Sequence, residues 1–88
     1  MERTVTIVNR LGLHARAAAR LVTLASRFSA EVRIRKDQRE VSGKSIMGVL
    51  MLAAARHAQI TLIAEGEDAA QALDALEQLI ADRFGEEE

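Results

Sequence analysis

His14 and Arg16 are the residues of this chain best suited to chemistry. They stand two apart in N-R-L-G-L-H-A-R-A-A-A-R-L, where a glycine-containing loop gives way to an alanine-rich run. Such a run predicts a helix that begins at or just after His14. The first N–H groups of a helix lack intrahelical partners, and the macrodipole is positive at that end. Anions bind there, phosphate above all. The same field favours a neutral, nucleophilic ring at His14. Arg16 adds a planar donor fork that fits phosphate oxygens. The pair is therefore suited to accepting and holding a phosphoryl group. A plainer account stands beside this one: His14 as a polar cap and Arg16 as a solvated surface residue.

A second polar residue meets an apolar run at G-K-S-I-M-G-V-L-M-L. G-K-S also ends a nucleotide-binding P-loop, but that motif needs a glycine where this chain has Gln38. Ser45 reads better as the N-cap of a short helix. That helix is apolar nearly all round, yet too short and too close to a hairpin to be wrapped. Ile46, Met47 and Met51 then either pack into the core or form a docking patch beside the histidine. Flexible methionine suits a surface that meets more than one partner. Arg16, Arg20 and Arg27 share one face of the first helix, which is either simply solvated or attractive to acidic partner surfaces. His57, with no Asp, Cys or second His near it in sequence, reads as a solvated loop residue rather than a metal ligand.

The elements that must position these residues follow from periodicity. Alternation from Arg3 to Val8 predicts a strand with Val5 and Ile7 on one face. Gly12 gives the next loop conformational freedom. From Ala15 to Phe28 the period becomes helical, with Ala18, Leu21, Val22, Ala25 and Phe28 on one stripe. Ala30 to Lys36 alternates again, with Val32 and Ile34 inward, and R-E-V-S makes a hairpin partner across K-D-Q-R. After the S-I-M-G-V-L-M-L helix, Gln59 to Ala64 is a fourth strand with Ile60 and Leu62 inward. A last helix runs from about Asp68 to Phe84, buries Ala69, Ala72, Leu73, Leu76 and Ile80, and stops at Gly85. The acidic D-R-F-G-E-E-E end reads as frayed. The order β-α-β-β-α-β-α over residues 1–88, with no linker or repeat, predicts a single α/β (α+β) domain built as a two-layer sandwich.

Composition narrows the function classes. At 88 residues, 49% hydrophobic and with only two aromatic residues, the chain folds around a small aliphatic core. A net charge of -1 argues against general nucleic-acid binding. Without cysteine there are no disulfides and no thiolate metal sites. No apolar run approaches the roughly 20 residues of a membrane span. M-E-R-T-V-T-I lacks a signal-peptide core, so a soluble cytoplasmic protein is expected.

L-G-L-H-A-R before an alanine-rich helix resembles the active-site motif of the HPr family, the histidine-containing phosphocarriers of the bacterial phosphoenolpyruvate-dependent phosphotransferase system. G-K-S-I-M-G-V-L-M-L resembles the regulatory-serine segment of the same family. Spacing, length and element order agree, so the resemblance covers essentially the whole chain. It implies an open-faced sandwich, with a four-stranded antiparallel sheet covered on one face by three helices. It implies that His14 accepts a phosphoryl group on Nδ1 from enzyme I, itself charged by phosphoenolpyruvate, and passes it to an enzyme IIA domain. Arg16 inherits charge stabilisation, and the backbone amides of Ala15 and Arg16 are expected to face the phosphate oxygens. Ser45 inherits regulatory phosphorylation by an ATP-dependent HPr kinase/phosphorylase. The protein is then a carrier, not an enzyme, without cofactor or metal, a monomer with no nucleic-acid partner. Family members usually carry proline where this chain has Ala17, which bears on the rigidity of the site. The acidic end and the L-M-L-A-A-A run look like the regulatory, nitrogen-type branch. The alternative function is therefore a regulatory interaction module that signals by phosphorylation state without sugar transport. An RNA-binding domain using the arginine face lacks support, because no aromatic residue falls on an expected strand.

Overall fold

A computed structural model describes all of the chain, Met1–Glu88. Seven elements follow in the expected order: β1 (Glu2–Thr6), α1 (Ala15–Ala25), β2 (Glu31–Lys36), β3 (Arg39–Ser42), α2 (Ile46–Met51), β4 (Gln59–Glu65) and α3 (Ala69–Ala81). A single 3-10 turn, Arg83–Gly85, follows α3. The strands form one sheet in the order β1-β4-β2-β3, with every neighbouring pair antiparallel. β4, the last strand in sequence, is thus threaded between β1 and β2. It carries the densest apolar alternation, as an inner strand should, with Ile60, Leu62 and Ala64 buried on one face.

The helices cover that face. Val5, Val32, Ile34, Ile60, Leu62 and Ala64 of the sheet join Ala17, Ala18, Leu21, Val22 and Ala25 of α1 in one cluster of 23 buried residues. The stripe Ala69, Ala72, Leu73, Leu76 and Ile80 of α3 and Val49 of α2 belong to it as well. Arg3, at the margin of the helix-covered face, pairs with Asp74 and Glu77 of α3, while the other face is polar, with Arg33 paired to Glu31, Glu40 and Glu65. Ile63 is the exception there, buried in register between Glu2 and Arg33.

Element ends depart from the sequence reading for local reasons. α1 stops at Ala25, three residues before Phe28 (a turn with Arg27 and Phe28 N–H groups bonded three residues back replaces its last turn). The next N–H groups, of Ser29 and Ala30, are taken by the Asp68 carboxylate at 2.9 and 2.8 Å. α2 ends at Met51, and Ala53 follows in the left-handed region with φ +51°.

The largest correction concerns the acidic end. α3 ends at Ala81 rather than Phe84, and the segment after it is folded, not frayed. Arg83 and Phe84 both take left-handed φ, +57° and +55°, which turns the chain back across the helical layer. Phe84 reaches 1% exposure in the core. Burial of such a side chain stabilises by about 1.5–3 kcal/mol, enough to hold a short polar segment in place.

Candidate functional site

The loop between β1 and α1 is built by one buried amide. The inward alternation of Val5 and Ile7 continues to Asn9, which is fully buried where an apolar side chain would be expected. Asn9 Nδ2 donates to the Gly12 carbonyl at 2.8 Å and to Glu86 Oε1 at 2.9 Å. Asn9 Oδ1 has no protein partner. Gly12 is required by its surroundings: φ is +66°, and a Cβ there would stand 2.5 Å from the Ala54 carbonyl oxygen. The adjoining Leu13 N–H donates to that same oxygen at 2.9 Å. The loop is thereby clamped to the segment after α2, and His14 emerges in a fixed direction.

His14 is the N-cap of α1, with extended φ and ψ of -75° and 179°. Its carbonyl accepts from Ala18 N–H at 2.8 Å, and its Nδ1 accepts from Arg16 N–H at 3.3 Å. The Ala15 and Ala17 N–H groups have no acceptor within the protein. On the other side of the ring, Nε2 is bonded to Glu86 Oε2. A carboxylate only accepts, so Nε2 carries the hydrogen and Nδ1 presents its lone pair. The capping account and the chemical account of His14 thus use the same atom: Nδ1 caps the helix through the lone pair that would act as nucleophile.

Burial by itself pushes Glu86 upward, but hydrogen bonds from Asn9 and His14, together with the charge of Arg20, hold it below its ordinary carboxylate range. Arg20 also donates to the Phe84 carbonyl, bracing the turn that carries Glu86. The Arg16 guanidinium has no protein partner; it lines a cleft with His14, Ala15, Glu86 and the exposed Leu11. Arg10 closes the rim through an ion pair to Glu88 at 2.8 Å.

The structure places His14 at the N-cap of α1 and Ala15 and Arg16 in its first turn. Ser45 caps α2, its Oγ accepting from Gly48 N–H at 3.0 Å. Ile46, Met47 and Met51 are exposed by 44%, 69% and 57%, so they stand on the surface and not in the core. Arg27 shares a shallow groove on α1 with Arg16 and Arg20. His57 lies exposed in a loop with φ +77°. No three His, Cys, Asp or Glu side chains converge as a metal site would need. Asn9 and Glu86 escaped the sequence reading. The signals were present: a polar residue at an inward alternation position, and a phenylalanine able to anchor the segment before Glu86.

Comparison with known proteins places this arrangement. The sequence pattern of the family described as "PTS HPr component phosphorylation site" matches residues 1–82. Among curated proteins, phosphocarrier protein HPr of Cupriavidus necator is 51% identical over 88 residues, covering 100% of this chain and 99% of its own. Phosphocarrier protein NPr of Shewanella violacea is 48% identical over 86 residues, covering 98% and 94%. Among solved structures, HPr-C-His from Thermoanaerobacter tengcongensis superposes with a TM-score of 0.96 at 44% identity, covering 100% of this chain and 99% of that one.

Proposed function

Because the chain belongs to the HPr family of phosphocarriers, we propose that it carries a phosphoryl group on His14 Nδ1, received from enzyme I and passed to an enzyme IIA domain. The observation that carries this reading is the state of the ring. Nδ1 is held unprotonated at the open end of α1, beside unpaired N–H groups and an unengaged guanidinium.

In the loading step the Nδ1 lone pair forms a bond to phosphorus. The bond from phosphorus to the donor breaks, and its electron pair leaves with the donor. Arg16 N–H, bonded only at 3.3 Å, is free to turn from the spent lone pair to a phosphoryl oxygen. Ala15 and Ala17 supply further N–H donors, and the Arg16 fork offsets the added negative charge. Ala17 differs here from the proline usual in the family, which has no such donor. Unloading reverses the step toward the acceptor. The protein is on this reading a substrate of phosphotransferases rather than a catalyst, acting as a monomer in the cytoplasm.

Ile46, Met47 and Met51, with Arg20 and Arg27, form the proposed docking surface for enzyme I and enzyme IIA. Phosphorylation of Ser45 by an HPr kinase/phosphorylase would place charge at its edge. A second reading, a regulatory module without sugar transport, draws on the near-equal identity to the protein named NPr. Incubation with phosphoenolpyruvate and enzyme I, followed by intact mass, tests the carrier role: one acid-labile, base-stable phosphoryl group per chain is expected. Presenting the loaded protein to sugar-specific and regulatory enzyme IIA domains in parallel separates the two readings.

A further inference from the structure

We infer that Glu86 is a positioning residue for phosphoryl transfer: its carboxylate holds the His14 Nε2–H, keeps Nδ1 as the lone-pair nitrogen and balances the charge that the ring takes on with the phosphoryl group. The inference rests on His14 being the carrier.

The contact is built rather than incidental. Asn9, fully buried, spends one of its amide hydrogens on Glu86 Oε1 at 2.9 Å, leaving Oε2 for the histidine. Phe84 anchors the segment in the core two residues earlier, and Arg20 holds the Phe84 carbonyl. Glu86 is itself 16% exposed, where a carboxylate in an acidic end would ordinarily be solvated. The ring nitrogens point in divergent directions, so a carboxylate on Nε2 leaves the Nδ1 side open. Glu86 also lies beyond residues 1–82, the span that the family pattern matches.

The chemistry follows from electron counting. When the Nδ1 lone pair becomes the bond to phosphorus, a ring that keeps its Nε2 hydrogen becomes cationic. A carboxylate already bonded to that hydrogen stabilises the cation through a charge-assisted hydrogen bond. On unloading, the electron pair of the P–N bond returns to Nδ1 and the hydrogen remains between Nε2 and Glu86. No proton is taken up or released in either direction. The carboxylate is ionised at neutral pH, in keeping with the downward direction of its titration.

The test uses the full chain, phosphorylated enzyme I and rapid quench, with wild type, Glu86→Gln and Glu86→Ala compared for KM and maximum rate. Glu86→Ala should lower the maximum rate about tenfold with KM within about twofold. Glu86→Gln, which keeps an acceptor without the charge, should recover part of the loss. Nitrogen-15 NMR of the imidazole, measured without enzyme, should show Nε2 protonated in the wild type, and a faster-exchanging Nε2 proton in Glu86→Ala. A wild-type maximum rate in Glu86→Ala, a loss confined to KM, or protonation at Nδ1 in the wild type would each overturn the role of Glu86 while leaving the carrier intact. A wild type that takes no phosphoryl group on His14 removes the carrier reading and this inference together.

Discussion

The starts of α1 and α2 are both capped by a polar side chain, and they are used differently. At α2 a serine hydroxyl accepts from Gly48 N–H at 3.0 Å, and nothing else engages it. At α1 an imidazole accepts from Arg16 N–H at 3.3 Å, while its far nitrogen is pinned by a carboxylate 72 residues away in sequence. Ser45 is a committed cap whose first consequence is local stability. His14 is a loosely engaged cap on a ring held from behind, so its lone pair can be withdrawn without moving the ring. The same position in a helix is thus a fastening in one case and, on the proposed function, a reactive centre in the other. The difference lies in the support that tertiary structure brings to the side chain.

The largest expected effect tests that contrast directly. His14→Ala should abolish labelling by enzyme I, while costing only a cap in stability, about 0.5–2 kcal/mol. Residual acid-labile phosphate on that variant would move the reactive centre elsewhere. Arg16→Ala comes next: transfer should slow at least tenfold, about 1.4 kcal/mol of transition-state stabilisation, with an unchanged circular dichroism spectrum. A variant that transfers at the wild-type rate would make Arg16 a surface residue only.

How much of this was legible beforehand differs between the two regions. His14, Arg16 and Ser45 announce themselves through short-range rules, because cap, dipole and periodicity act within a few residues. All seven elements and the buried stripe of α3 were readable for the same reason. The antiparallel sheet with three covering helices came from resemblance to a family, since strand order is a long-range property. The support behind His14 was not legible at all. Asn9 and Glu86 meet across 77 residues, through a turn with left-handed φ at Arg83 and Phe84 that no propensity favours. An acidic run reads as solvated unless something anchors it, and the anchor is the single buried Phe84.

Ser45 sharpens the comparison from the other side. A phosphate at the start of α2 meets a positive helix end, so the helix should not melt. Its charge of about -1.5 to -2 falls beside exposed Ile46 and Met47, where a partner must desolvate it. Ser45→Asp should therefore raise KM for enzyme I severalfold at an equal or slightly higher melting temperature. Ser45→Ala should transfer normally and lose about 0.5–2 kcal/mol of stability. Unfolding of Ser45→Asp, or unchanged enzyme I kinetics, would remove the docking role of this helix.

The smallest effect comes from the third helix start. Asp68 flanks α3 but makes no side-chain cap bond to it. Its carboxylate accepts from the Ser29 N–H first and the Ala30 N–H as well, and these hold its titration below the ordinary range against the upward push of burial. Glu86 is depressed too, as its bonds from Asn9 and His14 and the charge of Arg20 outweigh burial. A carboxylate whose folded pKa lies below its unfolded value contributes stability that is complete above the unfolded value. That contribution is lost as pH falls through the folded one. Both groups therefore act in the same direction, weakening the fold in acid below the usual carboxylate range and not near neutrality. They should differ in what is released. Loss of charge on Asp68 loosens the junction between α1 and β2. Loss of charge on Glu86 frees the segment around Phe84 and exposes the back of the His14 ring. Urea unfolding between pH 7 and pH 3 should show a shallower acid dependence in Asp68→Asn and in Glu86→Gln than in the wild type. Amide exchange should place the acid-induced opening of the wild type at both segments. In Glu86→Gln the segment around Phe84 should already exchange faster at pH 7, while Ser29 and Ala30 stay protected. Equal slopes in all three proteins would mean that neither carboxylate is coupled to folding, and the support behind His14 would then rest on Phe84 alone.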